Sequence, residues 1–594
     1  MCTDVSGMMT ADPRKVPRAI AVEKISYAEA MELSHFGAKV IYPPTILPVL
    51  QKGINIQIKN TFKPQDHGTI ICTDPGNRKN TLSGISSIDD IALISMQGSG
   101  LQGVSGMASR LFQTVSRAKI NIILITQGSS EHSITFAVLP NDADQAQKAI
   151  EEEFELELQL GLIDPINIER ELSVVAAVGE NMKNIPGISA TFFEALGRNG
   201  VNVKAIAQGA SELNISIIIF KKDVRKALNA IHEAFFLSGT KTANLFIAGT
   251  GTIGATLLEQ IKAQSEKLLN ENAIDLRLVG VTNSRKMLFK RESIHSGNWE
   301  HELEENGVKA DINAFTEKML EMNMRNSIFI DNTAHQIVTD KYEDILNASI
   351  SIVTPNKIAN ASKSERYANL HQIAGKYGVK FLYETNVGAG LPIISTLKDL
   401  IQSGDKIIKI EAMLSGSLNY IFSKCDDQYS FLDVVKEAHE KGYTEPDPRL
   451  DLSGMDVARK ILILSRESGI KLELTDVQVE NCLSQESQNA ESMDTFWKKL
   501  EKIDNASFEA RRQGAEQQGK RLKYVAKLEF GKASTQIQEV DPSHPFYNVS
   551  GTGNIVSFTT ERYREIPLVV IGPGAGAEVT AAGVFADIIR IANV

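Results

Sequence analysis

Two charged residues, Asp456 and Lys460, have the types and the spacing that acid–base chemistry requires. They lie four positions apart, so they share one face if this segment is a helix. A lysine amine placed near carboxylates can exchange a proton with a bound substrate. An ordinary surface ion pair has the same spacing, so the spacing alone leaves both interpretations open.

A glycine-rich segment is the second candidate for chemistry. It follows an apolar stretch, opens a helical pattern and reads Gly249-Thr250-Gly251-Thr252-Ile253-Gly254. Glycines at such positions permit a tight turn and a close approach of the backbone to a pyrophosphate at the helix N-terminus. The strand before the segment and the helix after it favour a dinucleotide site over a plain glycine turn. We therefore predict that these six residues bind the cofactor.

The end of the next predicted strand indicates which cofactor this is. NAD enzymes usually carry an acidic residue there, which binds the ribose hydroxyls. This chain instead has Asn283-Ser284-Arg285-Lys286. We predict that Arg285 contacts a 2′-phosphate and that the cofactor is NADP(H), with a solvated basic loop as the alternative.

Several domains must position these residues, because 594 residues are too many for one core. From Ala243 onward the predicted strands and helices alternate, which indicates a parallel sheet with helices on both faces. At Ile407 the pattern changes to longer amphipathic elements, as expected of a separate substrate domain. A strand at Leu568–Ile571 then leads into a glycine turn and a final helix.

An internal repeat occupies residues 91–237. Gly106 matches Gly187 and Gln127 matches Gln208, both at an offset of 81 residues. Each copy is predicted to run strand, helix, strand, turn, strand, helix, which is a split βαβ unit with its helices on one face of an antiparallel sheet. Two such half-sheets joined edge to edge would form one unit.

The segment before the repeat has too few elements to close a core alone. Its clearest element is a predicted helix from Ser26 to Gly37, in which Ser26 and Glu29 form a capping box.

The second half of the chain, about residues 243–594, closely resembles homoserine dehydrogenase. The motifs that carry this resemblance are Asp331-Asn332-Thr333, Ser351 to Lys357 (SIVTPNK), Tyr383 to Pro392 (YETNVGAGLP), Lys441 to Arg449 (KGYTEPDPR), Gly454 to Lys460 (GMDVARK) and the glycine-rich end. The resemblance implies the NADPH-dependent interconversion of aspartate semialdehyde and homoserine.

The same resemblance implies roles for individual residues. Lys460, Asp456 and Lys357 would act in catalysis, and Lys460 would exchange a proton with the substrate hydroxyl. Glu445 and Asp456 would bind the substrate ammonium. Four further residues would join the cofactor site: Thr333, Lys357, Gly442 and Gly576.

In that family, the turn after Glu384 holds a monovalent cation. Carried over by position, Na⁺ or K⁺ would be bound by Glu384 and by the backbone of Val387, Ala389 and Leu391. A turn that is held by its own hydrogen bonds is the alternative.

The repeat resembles paired ACT modules, which implies threonine as an effector. Gln127, followed by Gly128-Ser129-Ser130-Glu131, and Gln208, followed by Gly209-Ala210-Ser211-Glu212, end equivalent strands. An amide can donate to a ligand carboxylate and accept from its ammonium or hydroxyl group. Two turn-capping glutamines are the alternative.

Residues 1–72 resemble the end of an aspartokinase catalytic domain. The matching segments are Thr3-Asp4-Val5, Asp12-Pro13-Arg14 and Phe36-Gly37-Ala38-Lys39. The opening lysine–glycine–glycine phosphate segment of that family does not occur here. We therefore expect a truncated bifunctional aspartokinase–homoserine dehydrogenase without kinase activity.

The predicted fold is α/β multidomain. It comprises an aspartokinase remnant at 1–80, two ferredoxin-like ACT modules at 81–160 and 161–240, a Rossmann NADP-binding domain at 241–385, and an α+β substrate domain at 386–554. The segment 555–594 is expected to return to the Rossmann domain.

Bulk properties argue against other classes of protein. The net charge of −10 disfavours a nucleic-acid partner, and no apolar run reaches the roughly 20 residues that a membrane span needs. Separated cysteines and the lack of a signal-peptide pattern indicate the cytoplasm, and we expect a homo-oligomer.

Two other interpretations remain open. One is a related NADP dehydrogenase that acts on a different amino-acid semialdehyde. The other is an amino-acid sensor with a degenerate dehydrogenase scaffold, which intact Lys357, Glu445, Asp456 and Lys460 oppose.

Overall fold

A computed structural model describes residues 1–38, 40–76, 78, 80–128, 132–237, 240–426 and 428–593, with Pro43 by its backbone alone. The chain forms two compact units. Unit 1 comprises Met1–Lys241 with Asn323–Arg325, and unit 2 comprises Thr242–Met322 with Asn326–Val594.

The N-terminal part of unit 1 is a small four-stranded sheet with two helices. Its elements are β1 (Cys2–Thr3), β2 (Lys24–Ser26), α1 (Tyr27–His35), α2 (Leu47–Gln51), β3 (Ile56–Asn60) and β4 (Thr69–Cys72). The predicted capping box is confirmed, since the Ser26 side chain accepts from the Glu29 backbone and the Glu29 side chain accepts from the Ser26 backbone. Lys39, which belongs to the predicted kinase motif, lies outside the described residues.

The repeat forms one six-stranded sheet in the order β6-β7-β5-β8-β10-β9. Its elements are β5 (Gly84–Gln97), α3 (Met107–Arg117), β6 (Leu124–Gln127), β7 (Ser133–Val138), α4 (Ala143–Glu153), α5 (Glu155–Gln159), β8 (Asn167–Val178), α6 (Ile188–Gly197), β9 (Val203–Ala207), β10 (Asn214–Phe220) and α7 (Val224–Phe236). The predicted edge-to-edge joining is confirmed by the antiparallel pairing of β5 with β8.

The two central strands are shared between the repeats. The first half of β5 pairs with the part of β8 that also pairs with β10, whereas the second half of β5 pairs with β7. Each of these strands passes from one half-sheet to the other at a residue with left-handed backbone, which is Asp90 (φ 66°) in β5 and Glu171 (φ 56°) in β8. The repeats therefore exchange strands, and neither half-sheet is built from a single continuous segment.

The sheet is curved enough that its two edges approach one another. Cα atoms of β6 and β9 come within 8 Å, although these strands lie at opposite ends of the strand order. The enclosed core contains Leu124, Leu172 and Phe36, and Phe36 follows helix α1. The N-terminal segment thus packs into the repeat.

The first sheet of unit 2 has the order β14-β13-β12-β11-β15-β16-β17. Its elements are β11 (Lys241–Ala248), α8 (Thr252–Asn272), β12 (Ile274–Thr282), β13 (Lys286–Ile294), α9 (Trp299–Asn306), β14 (Val308–Lys309), α10 (Ile312–Met322), β15 (Ser327–Asp331), α11 (Gln336–Thr339), α12 (Tyr342–Asn347), β16 (Ser351–Val353), α13 (Ser364–Tyr377) and β17 (Phe381–Leu382). Strands β11, β15, β16 and β17 are parallel as predicted, while β13 and β14 form an antiparallel extension.

The second sheet of unit 2 has the order β19-β21-β20-β18-β22-β23. Its elements are α14 (Ile394–Gln402), β18 (Ile407–Met413), α15 (Gly416–Lys424), α16 (Phe431–Glu440), α17 (Pro448–Leu452), α18 (Met455–Glu467), β19 (Gln478–Val479), α19 (Gln485–Gln488), α20 (Met493–Lys499), α21 (Asn505–Glu516), β20 (Arg521–Glu529), β21 (Lys532–Val540), β22 (Gly553–Thr560) and β23 (Leu568–Pro573). Helices α15 and α18 contact strand β20 of this sheet.

The segment 555–594 divides between the two sheets. Strands β22 and β23 pair within the second sheet, whereas the last helix, α22 (Ala577–Ala592), packs on α8 in the core of the first sheet. Gln260 of α8 donates to the Glu578 backbone oxygen at 3.0 Å. The return to the Rossmann domain thus begins at α22, later than residue 555, because β22 finds its backbone partner in β18.

Among the described residues, no helix combines the length and the apolar character that a bilayer span needs. Cys2, Cys72, Cys425 and Cys482 are all unpaired thiols.

Candidate active site

The glycine-rich segment forms a tight turn between β11 and α8. Gly249 has a φ of 91°, and a Cβ there would lie 3.0 Å from the backbone carbonyl carbon of Asn332. At Gly254 a Cβ would lie 2.0 Å from the carbonyl oxygen of Gly249, so only glycine lets the first turn of α8 pack on the loop. Gly251 precedes the helix without any side-chain cap, which leaves the backbone N–H groups of α8 available to an anion.

This turn opens onto a cleft of about 540 Å³. Three of the six predicted loop residues line it, namely Gly249, Thr250 and Gly251, whereas Ile253 packs into the core beneath. Predicted cofactor residues Arg285 and Thr333 also line the cleft. The strand ends of the parallel sheet thus bring the fingerprint, the basic turn and Thr333 together.

Asn332 is a residue of this cleft that belongs to a quoted family motif but was given no role from the sequence. Its backbone N–H donates to the carbonyl of Ala248 at 2.8 Å, but its side-chain oxygen and nitrogen are buried without a partner. Buried amides are rarely left unpaired. A polar ligand in the cleft would supply the missing hydrogen bonds, so a nicotinamide dinucleotide fits the residues present.

The basic turn is part of a hairpin between β12 and β13. The Asn283 side chain accepts from the backbone N–H groups of Arg285 and Lys286, both at 2.7 Å. The Arg285 side chain is 79% exposed, and its nearest acid is Glu304 at 3.8 Å. Its guanidinium therefore remains accessible to a phosphate.

Lys357, Asp456 and Lys460 form a cluster, which places the two predicted lysines on one carboxylate. Asp456 lies 2.8 Å from Lys460 Nζ and 3.3 Å from Lys357 Nζ. Both Asp456 and Lys460 project from α18, while Lys357 comes from the loop after β16. Lys460 also donates to the carbonyl of Leu414 at 2.6 Å, so its buried amine has a fixed position.

The cluster is tuned by burial and by its own charges. Partial burial raises the pKa of Asp456, but the two lysines outweigh this effect and hold that pKa well below its usual range. Burial lowers the pKa of Lys357, an effect that Asp456 opposes and Lys460 reinforces. The net charge of the three groups is positive, which suits a site that must stabilise negative charge on oxygen.

A buried network fixes the loop that carries Lys357. Asp331 accepts from the Tyr342 hydroxyl at 2.6 Å, the Asn356 amide at 3.1 Å and the Thr333 backbone at 2.8 Å. Burial raises the pKa of Asp331, although these donors oppose the rise. The network connects Thr333 in the cleft with Asn356, the residue before Lys357.

Sequence profiles of known families match the chain in several places. The homoserine dehydrogenase profile matches residues 392–589 and its NAD-binding domain profile matches residues 249–384. The ACT domain profile matches residues 94–154 and 175–235, and the amino acid kinase family profile matches residues 1–60.

Curated relatives align over nearly the whole chain. A bifunctional aspartokinase/homoserine dehydrogenase of Haemophilus influenzae is 42% identical over 99% of this chain and 72% of its own length. The chain belongs to the bifunctional aspartokinase/homoserine dehydrogenase family. A chloroplastic member from Arabidopsis thaliana is 42% identical over all of this chain, which spans 65% of that relative. A crystal structure of a Candida auris protein of unknown function, 34% identical, covers 59% of this chain and 99% of its own, with a TM-score of 0.55.

The carboxylate of Glu384, in the predicted cation turn, already has hydrogen-bond and ion-pair partners in the protein. Glu384 accepts from the backbone of Ile394 at 2.6 Å and of Ser395 at 3.1 Å, and it pairs with Arg590 at 2.9 Å. Its carboxylate therefore caps α14, and its negative charge is already paired with a protein cation. In the described structure no protein group donates to the carbonyl oxygens of Val387 and Ala389, whereas the carbonyl of Leu391 accepts from the Ile393 backbone at 2.9 Å.

Glu445, Gly442 and Gly576 lie outside both the cleft and the cluster, and Lys357 belongs to the cluster alone. Glu445 is exposed on the loop before α17, where its backbone donates to Asp451 at 2.8 Å. Lys357, Gly442 and Gly576 are not among the described residues that line the dinucleotide cleft. Gly576, with a φ of 125°, precedes α22, and Gly442, with a φ of 69°, follows α16.

The two predicted effector residues end the edge strands of the curved sheet. Gln127 is the last residue of β6, Gln208 directly follows β9, and both are exposed. Ser129, Ser130 and Glu131, which follow Gln127 in the predicted motif, lie outside the described residues.

Proposed function

We propose that this chain is an NADP(H)-dependent homoserine dehydrogenase, which interconverts L-homoserine and L-aspartate 4-semialdehyde in threonine and methionine biosynthesis. The observation that carries the proposal is the cluster of Lys357 and Lys460 on Asp456, in a chain that matches both dehydrogenase profiles. A sensor with a degenerate dehydrogenase would have no need to retain this arrangement.

The chemistry divides between the cofactor and the cluster. Bound NADPH supplies the hydride. The Lys460 ammonium gives a proton to the aldehyde oxygen as the alcohol forms, and the neutral amine takes this proton back in the reverse direction. Lys357 provides the second positive charge beside the oxygen. Asp456, with 43% of its side chain exposed, and Glu445 offer carboxylates to the substrate ammonium.

The direct test is oxidation of homoserine by NADP⁺, followed by the appearance of NADPH. The expected result is turnover that requires both reactants and that stops when Lys460 is replaced. Absence of turnover with correctly folded protein would contradict the proposal. Turnover with another amino-acid alcohol but not homoserine would favour the related dehydrogenase instead.

The preference for NADP(H) rests on Arg285. Its exposed guanidinium stands at the end of β12, where it can contact a 2′-phosphate. An Arg–phosphate contact is charge-assisted and is worth about 1.5–3 kcal/mol. Arg285→Ala should therefore shift the cofactor preference toward NAD, and equal use of both cofactors by the unchanged protein would refute this role.

A bound Na⁺ or K⁺ is part of the proposal, with an altered ligand set. The carbonyl oxygens of Val387 and Ala389 are the best candidates, because the Glu384 carboxylate is engaged with α14 and Arg590. A cation there would stabilise the turn. The midpoint of thermal unfolding should rise in potassium or sodium chloride relative to tetramethylammonium chloride at equal ionic strength, and identical midpoints would count against the ion.

Threonine is the proposed effector, bound by the curved sheet of unit 1. The equivalent positions of Gln127 and Gln208 at the ends of β6 and β9 support a pair of related sites. Calorimetry should detect threonine binding to the unchanged chain and weaker binding to a Gln127→Ala, Gln208→Ala variant. Lowered dehydrogenase activity with threonine would connect this site to catalysis.

A homo-oligomer is supported by strand β23, which is an edge strand of the second sheet. Val569 and Ile571 in this strand and Ile566 just before it are exposed apolar residues, with 37%, 59% and 82% of their surface exposed. Such an edge is open to pairing with another chain. Sedimentation should show an oligomer that a Val569→Lys, Ile571→Lys variant loses.

A further inference from the structure

A carboxylate lies beside the two cations of the β12–β13 turn. Glu304, on α9, is 2.8 Å from Lys286 Nζ and 3.8 Å from the Arg285 guanidinium. Lys286 also donates to the backbone oxygen of Glu304. The positive charge that this turn offers to a ligand is therefore smaller than its two basic residues indicate.

We infer that Glu304 lowers the affinity of this turn for a 2′-phosphate, and so limits the margin by which NADP(H) is preferred over NAD(H). This inference rests on the proposed NADP(H) site. A phosphate monoester carries nearly two negative charges at neutral pH. Arg285 lines the cleft and would contact it, with the charge of Lys286 next to it. Glu304 neutralises the charge of Lys286 and repels the incoming phosphate.

The geometry assigns different parts to the two cations. Arg285 is too far from Glu304 for a hydrogen bond, and 79% of its side chain is exposed, so it can turn toward a phosphate freely. Lys286 is 31% exposed and is held by two oxygens of Glu304. Glu304→Gln removes the negative charge of the carboxylate, while the backbone oxygen that accepts from Lys286 remains in place.

Two other acids nearby serve as comparisons. Asp311 lines the cleft, but its carboxylate accepts from the backbone of Asn313 and Ala314 and caps α10. Glu305 follows Glu304 on the same helix and pairs with His301 at 3.2 Å. Its exposure of 61% is close to the 54% of Glu304, so Glu305→Gln is a matched control for the loss of one surface charge.

The experiment measures binding of adenosine 2′,5′-bisphosphate and of 5′-AMP by calorimetry, which requires no turnover. Interactions between exposed charges are weak, so Glu304→Gln should bind the bisphosphate about 2- to 5-fold more tightly. Its affinity for 5′-AMP should not change. Glu305→Gln should bind both probes as the unchanged protein does, and added salt should reduce the difference between the variants.

The outcomes separate this inference from the proposed function. Bisphosphate binding by Glu304→Gln that is unchanged or weaker would overturn the role of Glu304, whichever probe the unchanged protein prefers. No preference in the unchanged protein would refute the proposed NADP(H) preference. A preference that appears only in Glu304→Gln would still support the inferred role of Glu304.

Discussion

Replacement of Lys460 by methionine removes the proposed proton donor while keeping most of the aliphatic stem. General acid–base catalysis by one side chain typically contributes about 10²–10⁴-fold, so turnover should fall by that factor. The loss should stay short of complete, because Lys357 remains 3.3 Å from Asp456. Stability should fall by about 1–3 kcal/mol, since the buried carbonyl of Leu414 loses its 2.6 Å donor.

The residual activity should also change its pH dependence. In the unchanged protein, the charge of Lys460 helps to lower the pKa of Lys357, in addition to the larger effect of burial. Without that repulsion Lys357 holds its proton more tightly, so its pKa rises and the alkaline limb of kcat/KM moves to higher pH.

The assay compares steady-state turnover, chemical unfolding and binding of adenosine 2′,5′-bisphosphate. Bisphosphate affinity should not change, because Lys460 does not line the cleft. Lys267→Met is the control for the loss of a lysine from an i,i+4 pair, since Lys267 forms such a pair with Glu271 on the exposed surface of α8. Turnover of the Lys460 variant within a few-fold of the control would refute proton transfer by this amine.

Three further perturbations test the surrounding structure. Gly254→Ala should weaken NADPH binding at least about 10-fold by fluorescence titration, because its Cβ would lie 2.0 Å from the Gly249 carbonyl oxygen and disturb the phosphate-facing turn; normal affinity would contradict the tight packing. Glu384→Gln should lower the free energy of unfolding by about 1.5–3 kcal/mol, since a buried charged acceptor is lost; a change below 0.5 kcal/mol would contradict its anchoring role. Burial lowers the pKa of His232 from 6.5 to about 4, so between these pH values the unfolded state binds more protons than the folded state. The free energy of unfolding present above pH 6.5 should therefore fall by up to about 3 kcal/mol as the pH drops to 4. His232→Gln should flatten this pH dependence in urea titrations.

The features that the sequence could predict are those with a local cause. The capping box needs only Ser26 and Glu29, three positions apart, and it is present in the structure. The fingerprint is equally local, because a strand, three glycines and a helix define it over a few residues. The strand predicted at Leu568–Ile571 lies within β23, which runs from Leu568 to Pro573.

The features that escaped prediction depend on contacts between distant segments. No element was assigned to Lys286–Ile294, where charged residues interrupt the apolar ones, yet the segment pairs with β12 as strand β13. The exchange of strands at Asp90 and Glu171 depends on pairing between β5 and β8. Glutamate rarely adopts a left-handed backbone, and aspartate does so too seldom for its type to predict one in the middle of a strand.

In the candidate site, too, the contact between neighbouring residues could be predicted from the residues themselves, and the contacts between distant segments could not. Asp456 and Lys460 were expected to share a helical face and do so at 2.8 Å. Lys357 joins them from about 100 positions earlier, and only the family resemblance predicted this. Glu304 escaped notice because it lies 18 residues from Lys286 and approaches it through the fold.

The packing of α22 on α8 also has a consequence for how the protein is made. Gln260 and Glu578 contact each other across 318 residues, and the ribosome adds about 5–20 residues per second. Helix α8 therefore leaves the ribosome roughly a quarter of a minute to a minute before the helix that covers it. During this interval apolar residues of the nucleotide-binding domain await their partner, and this nascent chain is a candidate client for chaperones that shield such surfaces.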